Sequence, residues 1–226
     1  MTNRKLYDEK LSALNRSLIE MEKVVEELIE QTIDALITGD EGLARTTIKQ
    51  DDIIDFKQLY IEKECARLIA QEQPIASDLH FILSVVKIVT DIERIADQCS
   101  DICQYSIKLQ DKTWSSQINY QRHIERMAVM TKEMLTKALD SLVEKNVETI
   151  REICRSDDQI DDCFRKVWQE LSEEMTRDSQ FIQSGMHYIM IIKYLERIAD
   201  HTTNIAEWIY YSLTGDYIIH VIDEKS

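Results

Sequence analysis

The chain has 226 residues, with 42 Asp and Glu against 27 Lys and Arg, a formal net charge of −15 that disfavours a phosphate-backbone binder, because nucleic-acid affinity rests on clustered basic side chains. A hydrophobic share of 44% with 31% charged residues is globular composition, and four Gly and one Pro are too few for collagen-like, linker-rich or short-stranded all-β architectures. The most apolar stretch, 81–89, is interrupted by Ser84 and Lys87 and is too short for a membrane span, and the charged N-terminal pattern lacks the apolar core of a secretory signal, so a cytoplasmic protein is expected. The five cysteines, an odd number without CxxC spacing, read as reduced thiols.

Apolar residues recur at three and four along nearly the whole chain, and six helices of about 30 residues follow, over 6–38, 41–71, 75–110, 115–144, 146–175 and 179–212. Gly39 and Gly42 flank the first turn, Pro74 is expected in the first turn of the third helix, and Asp178 or Ser179 caps the sixth. The tail 215–226 alternates loosely and reads as a short extended segment or a loose terminus.

Comparison of the chain with itself is the most informative step. Glu93-Arg94-Ile95-Ala96-Asp97 recurs identically as Glu196-Arg197-Ile198-Ala199-Asp200, 103 residues later. At residue frequencies near 6%, such a match arises by chance on the order of 0.02 times in a chain of this size. Asp51-Asp52-Ile53-Ile54-Asp55 aligns with Asp157-Asp158-Gln159-Ile160-Asp161 at an offset of 106, as do Asp34 and Leu36 with Asp140 and Leu142. The collinear order gives an all-α chain of two tandem three-helix bundles related by duplication, 1–112 and 113–214, followed by the tail.

Acid pairs four residues apart are common in so acidic a chain, and their place on the helix decides their meaning. At 100° per residue Glu93 falls within about 40° of Ile82, Val86 and Val89, with Asp97 one turn on, so these carboxylates interrupt the apolar stripe. Glu196 and Asp200 repeat the pattern; Asp157 and Asp161 share a stripe with Ile150, Cys154, Ile160 and Phe164; Asp51 and Asp55 run with Ala44, Ile48 and Ile54. Carboxylates on facing helices must protonate, pair with cations or bind metal, and all-oxygen ligation favours hard or borderline ions such as Mg²⁺, Mn²⁺, Ca²⁺ and iron, with Zn²⁺ as a further option. Asp101 and Asn204 stand where each cluster would extend by a turn, with Asp52, Asp158 and Glu207 as outlying additions and His201 at the border of the second. The bland alternative is that Arg94, Arg197, Lys87 and Lys193 neutralise the acids in salt bridges, Arg94 and Arg197 reaching across to the partner helix. A histidine-assisted di-metal oxidase would carry Glu-x-x-His on two helices, and no histidine here has Glu three residues before it. Nor does a P-loop, GxGxxG, GxSxG or HExxH occur, and the tryptophans read as packing or interface residues.

The repeated ERIAD, the DxxID of the preceding helix, the run PIASDLHFILSVVKIVTDIERIAD and HTTNIAE at 201–207 together resemble the PhoU family of phosphate-signalling regulators over nearly the whole chain. The resemblance implies two three-helix bundles, with Asp51, Asp55, Glu93 and Asp97 serving one multinuclear metal site and Asp157, Asp161, Glu196 and Asp200 the other, holding iron, zinc, manganese or magnesium. It also implies a non-enzymatic, self-associating cytoplasmic regulator that represses phosphate uptake and the phosphate-starvation response. Its partners would be the Pst phosphate ABC transporter and a sensor histidine kinase, through which alone it touches the membrane. Two departures are visible: Ala96 and Ala199 stand where many relatives carry Gly, and the first half reads QCSDICQ in place of HTTNIAE. A reading from a different class is a metal-dependent hydrolase or oxidase using the same carboxylates; its two-metal chemistry would also need a substrate cleft and an acid–base group.

Overall fold

The structure is a computed structural model describing residues 2–109, 118–144 and 146–218, and the side chains of all of these except 2–4, 143 and 154. Six long helices account for most of it: α1 (Thr2–Thr38), α2 (Glu41–Glu72), α3 (Ala76–Lys108), α4 (Asn119–Glu144), α5 (Val147–Arg177) and α6 (Ile182–Thr214), the last entered through a 3-10 turn at Ser179–Phe181. Among the described residues there is no strand, and no helix is long and apolar enough to cross a membrane. The predicted junction between the halves near 112, Trp114, and most of the alternating tail lie outside the described residues.

Several helix ends coincide with a side-chain cap or a left-handed turn. Gly39, at φ 69°, turns the chain after α1, and Asp40 Oδ1 accepts the Leu43 N–H at 2.9 Å to cap α2. Asn146 Oδ1 accepts the N–H groups of Glu148 and Thr149 at the start of α5, and Asp178 caps the 3-10 turn through the Gln180 N–H. Gly215, left-handed at φ 79°, closes α6 by donating to the Tyr211 carbonyl at 2.9 Å. Pro74 differs from expectation: Gln73 adopts a left-handed conformation at φ 47° that ends α2, Pro74 follows in the link, and α3 starts only after Ile75 as N-cap. The pyrrolidine thus sets the approach to the helix instead of sitting inside it.

The duplication seen in the sequence is a duplication of burial. In α3, Val85, Ile88, Val89, Ile92, Ile95, Ala96, Cys99, Ile102 and Cys103 are buried, and their counterparts 103 residues on, Tyr188, Ile191, Ile192, Leu195, Ile198, Ala199, Thr202, Ile205 and Ala206, are buried in α6. Ile54, Ile61 and Cys65 of α2 correspond in the same way to Ile160, Val167 and Leu171 of α5. The two ERIAD helices pack on each other more extensively than any other pair, and buried residues from all six helices form one continuous core. At about 2 kcal/mol for each fully buried large aliphatic side chain, that shared α3–α6 seam is the main source of cohesion between the halves.

Contacts along the seam run in opposite directions. His80 of α3 lies against Tyr211 of α6, Tyr105 against His187 and Tyr194, and Asp91 against His201 and Asn204. The helices are therefore antiparallel, and Ala96 and Ala199, both fully buried, lie near the middle of the crossing, where a short side chain lets two backbones approach. Cys65, Cys99 and Cys103 are buried free thiols and Cys163 is a half-buried one, as their helical positions predict.

Candidate functional site: two duplicated carboxylate clusters

In the first half, α2 presents Asp51 and Asp55, one turn apart, toward Glu93 and Asp97 on α3. All four are half-buried, and each of Asp97, Asp55 and Glu93 acts electrostatically on Asp51. Loss of water is the largest effect: together with those three neighbours and Asp52 it pushes the Asp51 carboxyl up to about 7. Glu93 is raised for the same reason, by burial first and then by Asp97, with Arg94 opposing. Buried oxygens of Asp51, Asp55 and Glu93 (Oδ1, Oδ1 and Oε2) have no hydrogen-bond partner. Arg94 is the compensating cation, with Nη1 3.0 Å from Asp97 Oδ2 and Nε 3.3 Å from Glu93 Oε2. It pairs along its own helix, contrary to the expectation that it would reach across to a partner helix.

The second half repeats the arrangement. Asp157 of α5 is pushed up to about 6 by burial, then by Asp200, Asp161, Asp158 and Glu196. Asp200 is raised by burial and Glu196, with Lys193 and His201 opposing, and Lys193 forms a short ion pair with Glu196 on the same helix. All eight carboxylates singled out in the sequence are thus gathered into two groups of four. Among the described residues, however, no three His, Cys, Asp or Glu side chains converge into a ready ligand shell. The chemistry of the donors does fit a hard cation: each group is rich in oxygen and partly desolvated, and holds two carboxyls raised by burial first and by like charge second.

The two outer candidates are placed differently. Asn204 turns away from the second cluster and donates to Asp91 Oδ1 across the seam at 3.3 Å, where His201 Nδ1 also stands 2.9 Å from the same oxygen. Asp101 accepts a hydrogen bond from Tyr194, whose phenol is pushed up to about 12 by burial and by that carboxylate. Since Tyr194 occupies the place of Asp91 and Asn204 that of Asp101, the duplication explains both contacts: one cross-seam bond, made twice. Asp101 also borders an open cleft of about 450 Å³ with Asp51, Asp97, Gln98 and the two motif arginines, Arg94 and Arg197. Asp91 is the polar residue that sequence reasoning missed. Its signal was the mismatch of an acid in one copy with a tyrosine in the other. Glu207, raised by burial and by Asp91, belongs to this seam group. Lys87 stands 5.8 Å from the ring centre of Trp208.

A family model described as PhoU domain matches residues 18–106 and again 124–209, one match for each half. The chain belongs to the PhoU family. It is 36% identical over 216 residues to a phosphate-specific transport system accessory protein PhoU homolog of Clostridium acetobutylicum, covering 95% of this chain and 97% of that one. It is 31% identical to the homolog of the same name from Pseudomonas aeruginosa over 95% of this chain and 88% of the other. The crystal structure of PhoU from Pseudomonas aeruginosa superposes with a TM-score of 0.88 at 30% identity, covering 93% of this chain and all (100%) of that one. The phosphate transport system regulatory protein PhoU from Streptococcus pneumoniae superposes at 0.85 with 28% identity, over 94% of this chain and 99% of that one. The PhoU fold and its internal duplication agree with what the repeated motifs implied.

Proposed function

We propose that this protein is a regulatory accessory component of phosphate-specific transport, cytoplasmic and non-enzymatic, whose two carboxylate clusters bind metal ions. The transport role is supported by the names of relatives that match nearly end to end. The observation that carries the metal reading is the twofold recurrence of four neighbouring acids, two in each group with carboxyls raised first by burial: Asp51 and Glu93, then Asp157 and Asp200. Asp51, Asp55, Glu93 and Asp97 would hold one group of ions and Asp157, Asp161, Glu196 and Asp200 the other, with iron, zinc, manganese or magnesium as occupants. Bound cations would supply the positive charge that Arg94 and Lys193 provide only in part, locking α2 to α3 and α5 to α6. The role is one of geometry and recognition. The histidine nearest a cluster, His201, is held by Asp91, so it is not poised as an acid–base group for hydrolysis.

Function would then consist of binding phosphate-transporter components and a sensor histidine kinase, as a homodimer, and repressing uptake and starvation-response genes when phosphate suffices. The deciding experiment is elemental mass spectrometry of protein purified without chelator, beside a Glu93→Ala/Glu196→Ala variant. Two or more ions per chain, lost in the variant, are expected; folded wild-type protein free of metal would overturn the metal reading. Phosphate uptake and target-gene repression in cells carrying the variant test the regulatory reading separately, and unchanged values of both would overturn it.

A further inference from the structure

Gln98 of α3 is a buried polar side chain that the packing leaves unsatisfied. It is only 4% exposed, it lines the cleft of about 450 Å³ together with Asp51, Asp97 and Asp101, and its Oε1 has no hydrogen-bond partner. Across that cleft Asp97 is the carboxylate that acts most strongly on Asp51. A buried carbonyl oxygen without a donor is destabilising, so one that persists calls for something to accept from or to ligate. Oxygens of Asp51, Asp55 and Glu93 in the adjoining cluster share the same lack.

The duplication explains why this oxygen is orphaned. The position equivalent to Gln98, 103 residues on, is His201, and there Asp91 across the seam stands 2.9 Å from the ring Nδ1. The residue equivalent to Asp91 is Tyr194, whose hydroxyl is engaged by Asp101. The cross-seam partner that satisfies the second half is thus taken up elsewhere in the first.

Chemistry selects the occupant. Arg94 already lies on Asp97 and Glu93, and three carboxylates against two guanidiniums, Arg94 and Arg197, leave the cleft negative. An anion would meet three acids there and an acceptor oxygen that offers it no proton. A hard divalent cation is the species that takes side-chain amide oxygens and carboxylates together.

We propose that Gln98 is an oxygen ligand of the first cluster, joining Asp51 and Asp97 across the cleft, and that the second cluster has no counterpart because His201 is held by Asp91. The inference rests on the metal reading above and adds to it a residue outside the repeated acid pairs. It makes the two duplicated sites unequal, since the first gains one neutral oxygen donor.

The test uses the full chain, stripped with chelator and titrated with Mn²⁺ by calorimetry, in a Glu196→Ala parent that disables the second cluster. Gln98→Leu, which keeps the bulk and removes the oxygen, should weaken Mn²⁺ binding at least ten-fold. Gln98→Glu, which keeps an oxygen at the same reach, should bind at least as tightly as the parent. Melting without metal separates ligation from packing: Gln98→Leu should melt at or above the parent, because it removes an unpartnered buried carbonyl, and only the rise on adding Mn²⁺ should shrink. In a Glu93→Ala parent, where the second cluster is the intact one, Gln98→Leu should leave Mn²⁺ binding unchanged. Four results overturn the proposal and leave the metal reading standing: parental affinity in Gln98→Leu, equal weakening in Gln98→Glu, equal loss at the second cluster, or a metal-free Gln98→Leu protein that melts well below its parent. Failure of the wild-type chain to take up Mn²⁺ would overturn the metal reading and the proposal together.

Discussion

The two carboxylate clusters share one motif and differ in their surroundings. In the first, Asp51 is pushed up to about 7, and oxygens of Asp51, Asp55 and Glu93 are buried without a hydrogen-bond partner. In the second, Asp157 reaches only about 6 and Lys193 sits directly on Glu196. The difference lies in the placement of one cation: Arg94 is shared between Glu93 and Asp97, while Lys193 engages Glu196. A duplicated motif thus fixes which side chains meet, and the residues around it set how much charge they carry near neutral pH. Of the two, the first cluster is the one whose buried carboxylate oxygens lack hydrogen-bond partners.

The largest test asks whether the halves are equal in their cores. Ile54→Ala and Ile160→Ala remove equivalent, fully buried side chains, and each should cost about 2–5 kcal/mol by urea unfolding. Losses that differ by more than about 1 kcal/mol would show that the shared core does not weigh both halves alike.

A smaller effect separates the clusters. In metal-free protein at pH 8, Asp51→Asn should raise stability by about 1–2 kcal/mol, because it removes a partly desolvated charge among like charges; Asp157→Asn should give less. Equal gains in melting temperature would erase the distinction drawn above.

The smallest effect is a pH dependence. The carboxyls of Asp51, Asp157 and Glu22 are raised above their unfolded values, Glu22 to about 8 by burial and by Glu26 and Asp140. Between about 4 and their folded values these groups bind more protons folded than unfolded. Their contribution is complete below pH 4 and is lost as pH rises through about 6 for Asp157, 7 for Asp51 and 8 for Glu22. With chelator present, the urea midpoint should therefore fall between about pH 4 and 8, by on the order of 1 kcal/mol for each of the two half-buried aspartates after solvent screening, the Asp157 part being complete by about pH 6 and the Asp51 part by about pH 7. Saturating Mn²⁺ should flatten or reverse that slope, since ligands bind metal deprotonated. A midpoint that rises with pH in chelator would contradict the assigned shifts.

Much of this was legible in the chain itself. A 3.6-residue period over long segments with almost no Gly or Pro leaves helices as the arrangement that buries the apolar residues. An identical five-residue repeat, with a second match in collinear order, specifies duplication. That the eight carboxylates share helix faces with apolar residues followed from angular arithmetic, because position on a helix face depends only on residue number once the helix exists. Helix ends were legible where the signal was local, as at Gly39 and Asp178, and were misjudged at Pro74, where a left-handed Gln73 decided the break.

What the tertiary structure alone decided is how the two halves use the same positions. That α3 and α6 cross antiparallel at Ala96 and Ala199, that Asn204 and Asp101 serve the seam, and that Asp91 holds His201 all depend on which helix lies opposite, and no periodicity within one helix encodes that. The burial that raises both Asp51 and Asp157 is likewise a property of the assembled bundle, because desolvation is set by everything that surrounds a group in space. Sequence determines what each helix face can offer; packing determines which faces meet, and which groups, like the Gln98 carbonyl, are left without a partner.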